Sequence, residues 1–214
     1  MKGLLKNNLY GTYANAKAFS YFMVLFGIFA VAVVSQEVQI YYVLIGILGF
    51  SGISMIVVRN EFTTKWGKYK LTLPVKRADI VKSQFLNHLI WLLVGTLFAG
   101  MELSLSCFFH GYLFDLHLDI LSMFAAYTSL GLFMGAIFFP MFYMGNVEMS
   151  TSYLLISLLC ALGIVYMLVS IVNDLLEPGT TAIVLGAVIL IVCSLAAFGV
   201  SYPLTVSIFK RKEF

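Results

Sequence analysis

Few side chains in this sequence could do chemistry, and they fall in three places. Glu102 stands alone in the apolar run Phe85–Phe109. With a rise of about 1.5 Å per residue from Phe85, its carboxyl comes to lie in the outer half of a bilayer. A carboxyl there costs about 3 kcal/mol or more unless compensated, so it marks a pathway residue, a site for a cationic substrate or a contact with a partner subunit. The plainer alternative is a protonated or hydrogen-bonded structural glutamate. The segment His110-Gly-Tyr-Leu-Phe-Asp115-Leu-His117-Leu-Asp119 alternates His and Asp with Leu and could offer nitrogen and oxygen ligands. Leu116 and Leu118 fit better a polar loop dipping into a membrane interface, and no metal is expected. The third place is the stretch 59–84, taken up below.

Other chemistry is not supported by spacing. His88, near the inner end of its apolar run, reads as a residue that hydrogen-bonds a neighbouring helix. Cys107, Cys160 and Cys193 are odd in number, lie within or beside apolar runs and form no CxxC pattern, so they read as small packing residues. There is no His-Glu-x-x-His, and Gly52-Ile-Ser-Met-Ile lacks the second glycine of a nucleophile elbow. A Gly-x-x-x-x-Gly-Lys-Ser/Thr phosphate loop is missing too, so the chain is not expected to hold ATP or act as an enzyme. An intramembrane enzyme is the weakest of the readings considered.

The elements that must carry these residues follow from composition. The chain of 214 residues is 61% hydrophobic and 11% charged, against roughly 25% charged in an average soluble domain. A soluble globule is excluded. Six runs approach the roughly 20 residues that span a bilayer: Phe19–Ser35, Tyr41–Val58, Phe85–Phe109, Ile120–Tyr143, Tyr153–Val172 and Thr181–Phe209. Lipid offers backbone groups no hydrogen-bond partner, and runs of this length without alternation cannot be barrel strands, so each is helical. The expected fold is an all-α integral membrane protein, one transmembrane domain over residues 1–214.

Charge sets the orientation, because cytoplasmic loops retain Lys and Arg. All thirteen basic residues lie before the first run, between the second and third, or after the sixth. Glu37, Asp115, Asp119, Asp174 and Glu177 occupy other connections, which are expected to face outward. Both termini are then cytoplasmic. The stretch Ile120–Phe209 must cross an odd number of times, and its breaks at 140–148 and 173–179 make three crossings. A rival reading takes Pro140 as a kink within one longer element.

Two amphipathic pieces lie outside the spans. In the first eighteen residues Leu4, Leu5, Leu9, Tyr13 and Ala16 recur at spacings of three to five beside Lys2, Lys6 and Lys17, which suggests a helix lying in the interface. In the cytoplasmic loop 59–84, Phe62, Trp66, Tyr69 and Leu73 stand at i, i+4, i+7 and i+11, one face of a helix that Pro74 would stop. Trp and Tyr are common interface anchors, so this stripe by itself could simply hold the loop on the membrane. In the second span Gly46, Gly49 and Gly52, with Ser51 and Ser54, permit close approach of another helix, within the chain or at a subunit interface.

The loop as a phrase resembles that of the small bacterial ABC-2-type permeases: Glu61, Trp66, Tyr69, then Leu73-Pro74-Val75, Arg77, Ile80, Val81 and Lys82. The ending Ser201–Phe214, a last helix running into a basic tail, is similar to that family's as well, and with the six-span plan the resemblance covers essentially the whole chain. It implies a permease subunit of an ATP-driven exporter in the bacterial plasma membrane, paired with a second permease subunit, identical or paralogous, and with cytosolic ABC ATPases that carry ATP and Mg. Glu61, Phe62, Trp66, Tyr69, Leu73, Pro74 and Arg77 would then form a coupling helix seated on the ATPase, and Gly46, Gly49 and Gly52 could serve the subunit interface. Membrane lipid is the other partner implied, and nucleic acid is not. The substrate would be amphipathic or peptide-like. A non-transporting module, such as an immunity or signalling partner, is the alternative.

Overall fold

The computed structural model describes residues 2–64, 75–111, 117–177 and 179–211. Six long helices account for almost all of them: α1 Lys2–Val33, α2 Gln36–Thr63, α3 Arg77–His110, α4 His117–Met144, α5 Ser150–Leu175 and α6 Thr180–Arg211, with a 3-10 turn at Val147–Met149 before α5. Each is long and apolar enough to cross a membrane, and the described residues contain no strand. The all-helical, six-span expectation holds. The helices outrun the apolar windows because intrahelical hydrogen bonds continue into the interface, where polar side chains replace lipid contacts.

Two boundaries differ from the sequence reading. The first eighteen residues are not a separate surface helix: α1 runs unbroken for 32 residues, about 48 Å. Its N-terminal half is held upright by buried polar contacts. The Asn8 amide donates to Ser83 Oγ at 3.0 Å, and the Asn87 amide donates to Thr12 Oγ1 at 2.9 Å. Asn8 and Thr12, which lie among the apolar residues that suggested an interfacial face, thus form a polar seam between α1 and α3. The loop expected at 59–84 is also shorter, since α2 continues through Thr63 and α3 begins at Arg77.

Pro140 lies inside α4. The chain turns only after it, at Gly145 and Asn146, where Gly145 N–H donates to Met141 O at 2.9 Å and Asn146 N–H to Tyr153 Oη at 3.2 Å. The stretch after α3 therefore makes three helices. Between α1 and α2 only Val34 and Ser35 intervene, and Val34 has φ 52°, a left-handed value that is unfavourable for a β-branched residue.

Packing divides the bundle into α1–α3 and α4–α6, joined where α2 and α3 meet α4 and where α3 meets α6. The first group closes on Phe50, stacked on Trp91 at 5.9 Å and edge-on to Phe19 at 5.0 Å. The seam between groups is aromatic: Phe85 stacks on Phe139 at 4.4 Å and meets Phe198 at 4.9 Å. His88 sits beside them, fully buried. Its Nε2 pairs with Gly131 O at 3.2 Å, and its Nδ1 pairs with the Ser54 hydroxyl oxygen at 3.0 Å. The histidine thereby ties α2, α3 and α4, as its sequence position suggested.

Candidate functional site

Four helix ends converge where the 64–76 connection leaves the bundle. Glu61 and Phe62 are the last-turn residues of α2. The Phe62 ring meets Phe142 at 5.3 Å and Tyr143 at 5.7 Å, both edge-on, at the end of α4. Tyr143 packs on Phe209 of α6 at 4.7 Å, and its hydroxyl donates to Gln84 Oε1 of α3. Arg77, the first residue of α3, closes the chain of contacts. Its Nη1 donates to the carbonyls of Phe209 at 3.0 Å and Lys210 at 3.1 Å, and its guanidinium lies 5.6 Å from the Phe209 ring.

These contacts have a simple chemical logic. The last carbonyls of a helix have no intrahelical donor and carry the negative end of its dipole, so a guanidinium fork satisfies them and offsets that charge together. Both exits of the connection are consequently clamped: Phe62 to α4, and Arg77 to α6. On the other side of α2, Asn7 of α1 donates to Glu61 Oε1 at 3.4 Å. The ends of α2, α3, α4 and α6 are thus joined in one run of contacts through Phe62, Tyr143, Phe209 and Arg77.

The expected docking stripe is divided by this arrangement. Phe62 faces the bundle's own α4. Trp66, Tyr69, Leu73 and Pro74 lie outside the described residues. Arg77 and Glu61 engage other parts of this chain. The candidate metal segment is divided likewise, since Asp115 and the His117 side chain fall outside the description. Among the described residues no group of three or more His, Cys, Asp or Glu converges as a metal site would require.

Gly46 and Gly49 serve contacts within the chain. A methyl group placed on Gly95 of α3 would stand 2.7 Å from the Gly46 carbonyl oxygen and 3.0 Å from Ile47 Cα, so the pair lets the α2 and α3 backbones touch. At Gly49 the Phe19 ring of α1 fills the place of a side chain, whereas Gly52 has nothing within 4 Å of where its Cβ would be.

Glu102 projects from α3 between α1 and α2 and is only 4% exposed. Among the described residues neither carboxyl oxygen accepts a hydrogen bond of ordinary length, although Gln39 lies close enough to influence it. The adjacent Gln39 spends its amide nitrogen on Ala30 O at 3.2 Å and Ser106 Oγ at 3.0 Å. The Arg77–Phe209 clamp, by contrast, was not legible as a pair, because its acceptors are backbone carbonyls that no residue type announces.

Residues 3–210 match the family model described as ABC-2 family transporter protein. The chain belongs to the ABC-2 transporter family. No curated protein and no solved structure matches it. Membership makes this multi-pass protein a membrane permease component of an ABC transporter, a class that associates with an ABC ATPase.

Proposed function

We propose that the chain is the permease subunit of an exporter, driven by a separate ATPase subunit that binds ATP and Mg and docks on the 64–76 connection. The observation that carries the proposal is the double clamp, Phe62 on α4 and Arg77 on α6, which joins both ends of one loop to the opposite half of the bundle. Closure of the ATPase would push the connection, and the push would tilt α4 and α6 against α1–α3. This chain's part in the cycle is to receive force and change access. ATP chemistry belongs to the partner.

The basic residues support placing the loop and both termini in the cytoplasm of a bacterial cell. Lys6, Arg59, Lys76, Arg77, Lys210 and Arg211 gather at one end of the bundle, while Glu37, Asp119, Asp174 and Glu177 mark the other. A second permease subunit, identical or paralogous, would complete the translocation path, with Gly52 the one of the three glycines in α2 left with an open face. Amphipathic molecules or peptides are the substrate class an apolar bundle would pass.

The test is reconstitution. The tagged chain is purified from its native host with whatever ATPase accompanies it, and the complex is placed in proteoliposomes. ATP-dependent transport of an amphipathic peptide library, lost when Arg77→Ala uncouples hydrolysis, supports the reading. A complex without ATPase, or one whose hydrolysis is unrelated to any transport, favours the non-transporting module.

A further inference from the structure

An apolar groove of about 380 Å³ runs over Glu102 between α1, α2 and α3. Val24, Ile28, Met101 and Leu105 line it and are exposed on the lipid-facing surface, while Tyr42 and Phe98 form its floor. The groove is therefore entered from the membrane and not from the seam between the two halves of the bundle. Glu102 lies eight residues before the α3 terminus at His110, about 12 Å of helix, in the half of the bundle that carries the acidic residues.

The chemistry at its base is one-sided. Both Glu102 oxygens and Gln39 Oε1 are buried, and among the described residues none accepts a hydrogen bond of ordinary length. Gln39 faces the carboxyl with its amide, but its nitrogen is already spent on Ala30 O and Ser106 Oγ, so it serves Glu102 weakly at best. Ser106, one turn beyond Glu102, accepts from Gln39, and among the described residues its hydroxyl makes no bond to either Glu102 oxygen. Polar groups buried without partners are destabilising, and more so when charged. A ligand that brings donors and positive charge would remove that cost, and a primary ammonium brings three N–H donors with one charge.

From this juxtaposition of a buried carboxyl short of hydrogen-bond donors and a lipid-facing apolar groove, we propose that the Glu102 groove binds a single-chain amphiphile headed by a primary ammonium. The ammonium sits on Glu102, and the alkyl chain lies along Val24, Ile28, Met101 and Leu105. The volume matches on the order of a dozen water-sized groups, enough for one short chain and its head but not for a two-chain lipid. The site goes beyond the permease reading and does not depend on it, since it asks only that this chain bind a ligand from the bilayer.

The experiment uses the full chain in nanodiscs of phosphatidylcholine, without ATPase or nucleotide, and radiolabelled dodecylamine at pH 7. Saturable binding is expected, displaced by unlabelled decylamine and not by dodecanol or dodecanoate. Glu102→Gln should weaken it at least tenfold. Met101→Trp, which fills the groove and leaves the carboxyl in place, should weaken it likewise and keeps the test valid if Glu102→Gln fails to fold. Unchanged binding in either folded variant, equal displacement by dodecanol, displacement by phosphatidylethanolamine built into the disc, or no saturable binding overturns the proposal. Because no transport is measured, such a failure leaves the permease reading standing.

Discussion

Arg77 and Phe209 stand 132 positions apart in sequence, yet the Arg77 Nη1 donates to the Phe209 carbonyl at 3.0 Å while its guanidinium lies 5.6 Å from the Phe209 ring. One side chain thus holds the start of α3 against the end of α6. Arg77 is only half-buried, so its carbonyl and ring contacts together are worth about 1–2 kcal/mol after solvent screening. Arg77→Ala should lower the melting temperature of the detergent-solubilised chain by a few degrees. Arg77→Lys should recover less than half of that loss, because an ammonium cannot span two carbonyls and stack on a ring together. Full recovery by lysine would show that charge alone matters.

Gly95 is a second point of fine fit. A single methyl there meets the Gly46 carbonyl oxygen and Ile47 Cα, backbone atoms that cannot swing aside. Gly95→Ala should cost about 1–3 kcal/mol by forcing α2 and α3 apart, and Gly95→Val should prevent stable folding. Gly100→Ala, one and a half turns along the same helix, meets nothing within 4 Å and should leave the melting temperature at or above that of the natural chain. Equal effects at the two positions would mean that the backbones do not touch at Gly95.

The buried histidine gives a pairwise test. Ser54→Ala and His88→Ala each remove one side of the contact at 3.0 Å between α2 and α3. Hydrogen bonds between membrane helices average about 0.6 kcal/mol in double-mutant cycles, so a coupling energy near that value is expected from denaturation of the two single variants and the double variant. The His88 single variant should be much the worse of the two, because it also empties a space between Phe139 and Phe198. A coupling of zero would remove the Ser54 contact from the structure.

How much of this was legible in the sequence depended on whether the signal was local. The six helices were, because hydropathy over about twenty residues decides membrane insertion segment by segment. The true length of α1 was not: Leu4, Leu5, Leu9, Tyr13 and Ala16 suggest a separate interfacial helix, and only the partners of Asn8 and Thr12, Ser83 and Asn87, 75 positions on, show α1 packed against α3. Gly46 announced a close approach without naming Gly95 as its partner. Glu102 was visible as an isolated charge, but its shortage of donors among the described residues depends on where Gln39 spends its amide. Phe62 was assigned to a docking stripe by its spacing, and helix continuity through Thr63 turned it instead towards Phe142 and Tyr143.

The orientation proposed from charge can be read directly. Single cysteines placed at Glu37 and Glu177 should react with an impermeant maleimide added outside intact cells. Cysteines at Asn146 and Arg211 should react only after the cells are opened. External labelling at Asn146 would put the α4–α5 turn on the wrong side and contradict the proposed topology.

The role of the 64–76 connection is tested most directly by Trp66→Ala with Tyr69→Ala. Aromatic residues that fill a partner's pocket commonly cost 2 kcal/mol or more each when truncated, enough to dissolve a moderate complex. The tagged double variant and the natural chain are purified from native-host membranes, and the co-purifying proteins are photolabelled with azido-ATP. The natural chain should bring down a labelled ATPase while itself remaining unlabelled. The double variant should insert and melt as the natural chain does but bring down at least tenfold less. If it retains the labelled ATPase at the natural level, the connection is not the docking surface, and the coupling assignment is contradicted.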